Sequence, residues 1–197
     1  LTLAGELVIG NAEYLSCCVI TQLARKGAPL IYGAAWTVIN MHHSNALFAT
    51  PEALLLRVAG LQMARHYGKP AHVQGLNADA PIYDEQLGWE KALTGMMGVC
   101  GGAHLIVGGG AYGTAMVSSS EQLVVDNEIL GIIRRLEQGI TVSDDSIAFE
   151  LIKAVGPQGS FLAEEHTVRH LRSGEHYRSG IVNKDMYSKW EQQGFPD

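Results

Sequence analysis

The most informative stretch for the fold is residues 103–136, AHLIVGGGAYGTAMVSSSEQLVVDNEILGIIRRL. The apolar run at 103–107 is too short for a globular helix and ends at glycines, which predicts a buried strand. The segment 118–121 offers hydroxyls and a carboxylate to open a helix. That helix carries an apolar stripe at a 3.6-residue period: Val125, Ile129, Ile132, Ile133 and Leu136. The stretch is therefore one βα unit, and function in such units usually lies in the loop after the strand.

The same unit recurs toward the amino terminus. Further strands are predicted at Leu30–Gly33 and Pro70–Gly75, and helices are predicted to begin after Thr2, Thr50 and Asp84. Their apolar stripes, Leu7–Leu23 in the first helix and Trp89–Cys100 in the third, are expected to face the core. Helices alternating with strands predict a parallel sheet with helical crossovers. No GxGxxG or GxxxxGK[ST] follows a strand, so half of a TIM (β/α)8 barrel fits better than an open nucleotide-binding sheet.

The alternation of predicted strands and helices ends near Gly139. We therefore predict carboxyl-terminal βα units of a TIM barrel over 1–139 and a helical extension over 140–197. Within the extension, Ser143 or Asp144 is expected to cap a helix over 147–155. Further helices are predicted over 163–171 and from about 183.

Composition excludes several classes of partner. The chain has 197 residues and a formal charge of −6 without a basic patch, which argues against nucleic acid and anionic membranes. The apolar stretch 93–113 contains glycines and His104, which argue against a membrane span. Three cysteines form no disulfide framework, so we expect a cytoplasmic protein. The chain begins with Leu1 rather than Met, and we expect it to be a piece of a longer protein.

The loops after the three strands share one mouth in a barrel, and their polar and aromatic residues are candidates for the site. Asp79 and Glu121 are the candidate catalytic residues. The candidate substrate-binding residues are Tyr32, His43, Gln74, Asn77, Tyr83 and Tyr112. Capping of a turn by Asp79, dipole stabilisation by Glu121 and packing by the tyrosines are the alternative interpretations. If the site is placed correctly, Asp79→Ala or Tyr112→Ala should lower activity and leave the melting temperature nearly unchanged.

Two histidine pairs raise the question of a metal. His42 and His43 are adjacent in a loop and cannot easily bind one ion together. His166 and His170 have the spacing of two zinc ligands on one helix face, but no Glu follows the first histidine as in metalloproteases. Glu165 and Arg169 offer a plain surface-pair explanation of that helix. No metal site is therefore predicted, although a metal-dependent TIM-barrel hydrolase or lyase is kept as an alternative function.

Several blocks of the chain resemble the trimethylamine methyltransferase (MttB-like) family and fall in the family's order. They are residues 1–5 (LTLAG), 11–13 (NAE), 29–33 (PLIYG), 121–128 (EQLVVDNE), 155–162 (VGPQGSFL), 166–167 (HT), Tyr187 and Trp190. The resemblance covers essentially the whole chain. It implies the carboxyl-terminal part of a TIM barrel and the family's helical tail, with the first barrel strands outside this sequence.

The resemblance also implies an activity. Family members transfer a methyl group from a methylated amine to the cob(I)alamin of a separate corrinoid protein, so this cobalamin cofactor is carried by the partner and none is bound permanently here. One branch uses pyrrolysine at the barrel mouth, whereas the loop around 77–79 holds ordinary residues. The chain is thus similar to the non-pyrrolysine branch, which acts on glycine betaine and other quaternary amines. The candidate site rests on position at the mouth, because no catalytic residue of that branch is matched individually.

The implied chemistry needs little from the protein. A quaternary ammonium leaves as a neutral amine and cob(I)alamin is itself a nucleophile, so positioning and electrostatics supply the catalysis. Aromatic faces bind such cations with about 0.5–2 kcal/mol per good contact. A third alternative is an inactive barrel fragment acting as a binding module. Because three strands expose two open edges, we expect residues 1–197 alone to associate as a homo-oligomer or to remain partly molten. We also expect them to be inactive, since half of the mouth is absent.

Overall fold

The computed structural model describes residues 1–194, which form two compact units. The first unit is Leu1–Glu137 and the second begins at Gln138, close to the predicted domain boundary. The helices of the first unit are α1 (Leu3–Ala24), α2 (Pro51–His66), α3 (Glu85–Cys100) and α4 (Ser120–Glu137). Its strands are β1 (Tyr32–Ala34), β2 (Val38–Ile39), β3 (Ala46–Leu47), β4 (Ala71–Gln74), β5 (Leu105–Val107), β6 (Ala111–Tyr112) and β7 (Val117–Ser118).

Polar caps begin three of these helices where the sequence predicts them. The side chains of Thr2, Thr50 and Asp84 each accept a hydrogen bond from the backbone N–H three residues later, at 3.1, 3.3 and 2.9 Å. Each bond satisfies one of the N–H groups that the first helical turn leaves without a partner. The predicted starts of α1, α2 and α3 are therefore confirmed.

A three-stranded parallel sheet lies at the centre of the first unit. Its strand order is β1-β4-β5, with Gly33 opposite His72 and His72 opposite Leu105. The predicted α/β class and the parallel pairing are confirmed. Two antiparallel hairpins, β2–β3 and β6–β7, lie in the loops and were not predicted, because two-residue strands leave no periodic signal.

The helices pack against one face of this sheet. Tyr32, Ala34 and Val73 are fully buried in a cluster with Leu61 and Ala64 of α2. Alternate residues of a strand point to opposite sides, and on the other side Ile31, Leu105 and Val107 are exposed. A doubly wound sheet would have helices on both faces. In the described part of the first unit the second face is open.

The predicted apolar stripes of α3 and α4 are mostly exposed, and Ile133 of α4 is the buried exception. Trp89 and Leu93 are 58% and 52% exposed, whereas Lys91 and Thr94 of the same helix are fully buried. In α4 the buried residues are Gln122, Asp126 and Ile133. Hydrogen-bonded polar groups thus occupy the inward faces, and the prediction from periodicity is wrong on this point. Periodicity reports where apolar residues lie on a helix and not which face meets the rest of the protein.

Helix α1 combines an inner polar contact with an apolar outer face. Asn11 donates a hydrogen bond to the Tyr67 hydroxyl at 3.0 Å, while Val8, Ile20 and Leu23 are exposed. By length and composition alone α1 could cross a membrane, a test that core helices and signal sequences also pass. Helix α1 packs on α2, and Asn11 is bonded to the residue that follows α2.

The exposed apolar faces predict how residues 1–197 behave alone. Large apolar side chains in water and unpaired edges at β1 and β5 favour association, so the isolated chain is expected to form oligomers. Sedimentation over a concentration series measures this. A compact monomer with a cooperative unfolding transition at low micromolar concentration would contradict the expectation.

The second unit is helical over the residues described. It contains α5 (Asp144–Ile147), α6 (Phe149–Val155), α7 (Glu165–Arg172) and α8 (Tyr187–Gln192). Ser143 and Ser146 form a capping box at α5. Ala148 adopts a left-handed φ of 51°, which separates α5 from α6. The helix predicted over 147–155 is thereby divided into two.

Candidate functional site

Three loops follow the parallel strands and meet at one edge of the sheet. The first loop covers residues 35–50, the second 75–84 and the third 108–119. Carboxyl ends of parallel strands share an edge, which we call the loop edge. Backbone N–H groups of Gly113 and Thr114 donate to the carbonyls of Ala80 and Ala78 at 2.9 and 3.1 Å. The second and third loops therefore form one connected surface.

An aromatic pair stands at the junction of the second and third loops. The ring centroids of Tyr83 and Tyr112 are 5.3 Å apart and their planes are inclined by 55°. The Tyr83 hydroxyl is hydrogen-bonded to Ser119 Oγ at 2.5 Å. Desolvation raises the pKa of Tyr112, with further contributions from Tyr83 and from the nearby Glu121 carboxylate. The structure thus brings together three predicted site residues, Tyr83, Tyr112 and Glu121.

Two amide side chains at the carboxyl end of β4 hold carbonyl oxygens without a partner. Gln74 Oε1 and Asn77 Oδ1 are buried, and neither has a hydrogen bond within residues 1–194. Buried polar atoms are normally paired, so such oxygens mark places where water or a ligand can bind. Asn77 Oδ1 packs against Gly108, whose φ of +110° and missing side chain make the close approach possible. The loop edge therefore offers two hydrogen-bond acceptors beside the sheet.

Asp79 joins the second loop to the first. Its carboxylate accepts hydrogen bonds from the N–H of Phe48 at 2.8 and 3.0 Å and from the N–H of Ala49 at 2.9 Å. Arg57 of α2 donates to the carbonyls of Trp36 and Phe48 at 3.1 and 2.7 Å. Burial lowers the pKa of Arg57 to about 10, and the charge of Asp79 opposes that shift. Since backbone donors contact both oxygens, the structure supports a positioning role for Asp79, and its catalytic role stays a prediction.

Asp79→Ala is expected to destabilise the loop edge, contrary to the expectation from the sequence. Two backbone N–H groups lose their acceptor, and a buried donor without a partner costs about 1–3 kcal/mol. Thermal unfolding of the full-length protein should shift to lower temperature. The exposed Glu13→Ala on α1 is the matched control and should unfold like the wild type. An unchanged melting temperature in Asp79→Ala would remove the positioning role.

A buried ion pair fastens the second loop to the third. The Lys91 ammonium lies 2.9 Å from the Asp126 carboxylate, and the two side chains are 0% and 1% exposed. Lys91 Nζ also donates to the carbonyls of Leu76 and Ala111 at 2.5 and 2.6 Å, while Asp126 accepts from the N–H of Gly110 at 2.6 Å. Burial lowers the pKa of Lys91, and its hydrogen bond to Asp126 opposes that shift. The Lys91 ammonium therefore links the second loop to the third through hydrogen bonds.

Two more buried groups complete this support. Glu90 Oε2 accepts the backbone N–H of Asp79 and Ala80 at 2.7 and 3.0 Å, and Gln122 Nε2 donates to Asp126 Oδ1 at 2.7 Å. The supporting residues missed from the sequence are Arg57, Glu90, Lys91, Gln122 and Asp126. The sequence carries no signal for them, because charged residues on helices are usually solvent-exposed.

One predicted site residue lies away from the loop edge, and another lies in an exposed turn of the first loop. Tyr32 is fully buried on the helix-covered face of the sheet, with its ring centroid 4.3 Å from that of Tyr14, so the structure does not place it at the loop edge. His43 is exposed in the turn between β2 and β3, 6.5 Å from the His42 ring. Within residues 1–194, the single group of His, Cys, Asp or Glu placed to share a metal ion is in the second unit.

Comparison with known proteins assigns the family. The family model described as "Trimethylamine methyltransferase (MTTB)" matches residues 1–197. The chain belongs to the trimethylamine methyltransferase family. The resemblance noted in the sequence is confirmed.

Relatives of this trimethylamine methyltransferase family member carry two names. The chain is 35% identical to trimethylamine methyltransferase MttB of Desulfitobacterium hafniense over 197 residues, which cover 100% of this chain and 39% of the relative. It is 36% identical to trimethylamine methyltransferase MttB of Methanosarcina barkeri, covering 99% and 39%. It is 32% identical over 193 residues to the glycine betaine methyltransferase of Desulfitobacterium hafniense (strain Y51), covering 98% and 40%. The chain thus spans about 39% of the length of the first two, corresponding to their carboxyl-terminal part.

Proposed function

We propose that this chain forms the carboxyl-terminal strands of a TIM barrel that transfers a methyl group from a methylated, quaternary amine to the corrinoid of a partner protein. The observation that carries the proposal is the aromatic pair Tyr83–Tyr112 beside Glu121 at the loop edge of a family member. Active sites of TIM barrels lie at this edge.

The arrangement of the sheet supports the barrel. The three parallel strands are ordered as they occur along the chain, and their helices cover one face. A parallel sheet with helices on one face closes into a barrel when more parallel strands are added at its edges. Ile31, Leu105 and Val107 on the open face would then become the packed barrel interior.

The site suits a substrate with a delocalised positive charge. Tyrosine ring faces attract quaternary ammonium groups, and the Glu121 carboxylate adds a negative potential. Gln74 Oε1 and Asn77 Oδ1 provide acceptors for ordered water around the substrate. The substrate's positive charge is lost in the transition state, so moderate binding by uncharged rings is more useful than a tight ion pair.

The corrinoid would belong to the partner and meet the chain at the loop edge. When bound, its reduced cobalt supplies the nucleophile for the methyl group. Met41 and Met116, each 83% exposed in the turns of the two hairpins, fit an apolar contact with such a partner. Lys91 and Arg57 hold the loops so that the aromatic pair orients the substrate. Orientation of this kind can supply much of the rate of a two-reactant transfer.

Family membership favours methyl transfer over the metal-dependent hydrolase or lyase alternative.

We also propose a cytoplasmic location, because the three cysteines are free in the structure and such thiols persist in reducing compartments.

Binding measurements test the aromatic site. We expect glycine betaine and tetramethylammonium to bind the full-length protein in isothermal titration calorimetry. Tyr112→Ala should weaken binding about 5-fold or more because one ring face is lost. Tyr112→Phe keeps the ring and should bind like the wild type. Equal affinities in all three proteins would exclude this pair from the substrate site.

A further inference from the structure

Three potential metal ligands converge in the second unit. Asp145 lies in α5, and His166 and His170 lie one turn apart in α7. One ligand atom from each residue is within 4.8 Å of the others. The cluster therefore draws on two helices. Within residues 1–194 it is the one group of three such residues close enough to share a metal ion.

The surroundings of His170 suit a metal ligand. Its Nδ1 lies 3.2 Å from Glu175 Oε2, and its buried Nε2 lies 3.3 Å from Asp145 Oδ2 without the geometry of a hydrogen bond. An Nδ1–H that donates to Glu175 leaves a lone pair on Nε2. That lone pair and a carboxylate oxygen then face each other, which is favourable when a cation lies between them.

The separation of these two atoms fits one metal in particular. In a tetrahedral zinc site with bonds of about 2.0–2.1 Å, neighbouring ligand atoms are about 3.3 Å apart. The 3.3 Å between His170 Nε2 and Asp145 Oδ2 equals that edge. Glu175 corresponds to the carboxylate that commonly accepts the second ring N–H of a zinc-bound histidine.

We propose that Asp145, His166 and His170 bind a zinc ion that fastens α5 to α7. Glu175 orients His170, and Arg169 donates to the other oxygen of Asp145. A ring nitrogen of His166 completes the protein ligands, at the expense of its 2.7 Å contact with the Asp145 carbonyl where Nε2 is used. Water takes the fourth position. The site is a structural clasp and does not depend on the proposed methyl transfer.

Cobalt substitution tests the site without an activity assay. Untagged full-length protein, stripped with a chelator, is titrated with Co²⁺ while the visible absorption of tetrahedral cobalt is recorded, and zinc is then added as competitor. We expect one equivalent to bind and zinc to displace it. His166→Gln and His170→Gln should abolish the spectrum, and Glu175→Gln should weaken binding about 10–100-fold. The exposed His176→Gln is the control and should bind like the wild type.

Circular dichroism in chelator confirms that the variants remain folded. Absence of a tetrahedral spectrum in the wild type, or equal binding by the wild type and a His166→Gln/His170→Gln double variant, overturns the proposal. A higher melting temperature at acid pH, in protein that takes up no cobalt, also overturns the zinc proposal. That result identifies a protonated His170 between two carboxylates.

Discussion

Lys91→Met is expected to destabilise the first unit by about 3–5 kcal/mol, because it leaves the Asp126 carboxylate buried without its cation. The carbonyls of Leu76 and Ala111 lose a donor in the same substitution. Methionine fills a similar volume, so the loss reports on charge and hydrogen bonding more than on packing. Calorimetric melting of the full-length protein should fall by about 6 °C or more.

Two further variants separate the ion pair from a general effect of removing a lysine. Lys69→Met changes an exposed residue and should melt like the wild type. Lys91→Met combined with Asp126→Asn removes both charges and should be less destabilised than Lys91→Met alone. If Lys91→Met melts like the Lys69 control, the ion pair does not hold the loops together.

Tyr83→Ala combined with Tyr112→Ala is expected to raise the KM of the full-length enzyme for a quaternary amine about 30-fold. The two ring faces proposed to bind the cation are lost. The effect on kcat should be smaller, because the substrate's charge decreases on the way to the transition state. Steady-state methyl transfer over a range of amine concentrations measures both constants.

Controls for the aromatic pair use the same residue types. Tyr83→Phe with Tyr112→Phe keeps both rings and removes the Tyr83–Ser119 hydrogen bond, and it should retain a KM close to the wild type. Tyr187→Ala removes an exposed tyrosine of the second unit and should have no effect on KM. A raised KM in the Phe variant would assign the role to the hydroxyls and not to the rings.

Local sequence signals predicted the elements well. Thr2, Thr50 and Asp84 are side chains that compete for free N–H groups, so they identify helix starts without knowledge of the rest of the chain. The alternation of strands and helices predicts a parallel sheet, which puts Tyr83 and Tyr112 on loops at one edge of that sheet. The structure brings the two rings into contact there. These inferences depend on near neighbours and on the regular geometry of parallel strands.

Long-range polar contacts could not be predicted in this way. Lys91 is paired with Asp126, 35 residues away, and Asp79 is bonded to Phe48, 31 residues away. Sequence alone does not show that a charged residue on a helix is buried, so the apolar pattern predicts Trp89 on the inward face, where the structure has Lys91. The positioning role of Asp79 could not be predicted for the same reason, because its partners are backbone N–H groups of another loop.

Methyl transfer to free cob(I)alamin is the decisive test of the proposed methyltransferase activity. Full-length protein is mixed with cob(I)alamin and a panel of glycine betaine, other quaternary amines and trimethylamine, and methylcobalamin is followed by its absorbance. We expect methylcobalamin to form from at least one quaternary amine, at a rate that falls in the Tyr83→Ala/Tyr112→Ala variant when the amine is limiting. No methyl transfer from any amine of the panel would contradict it.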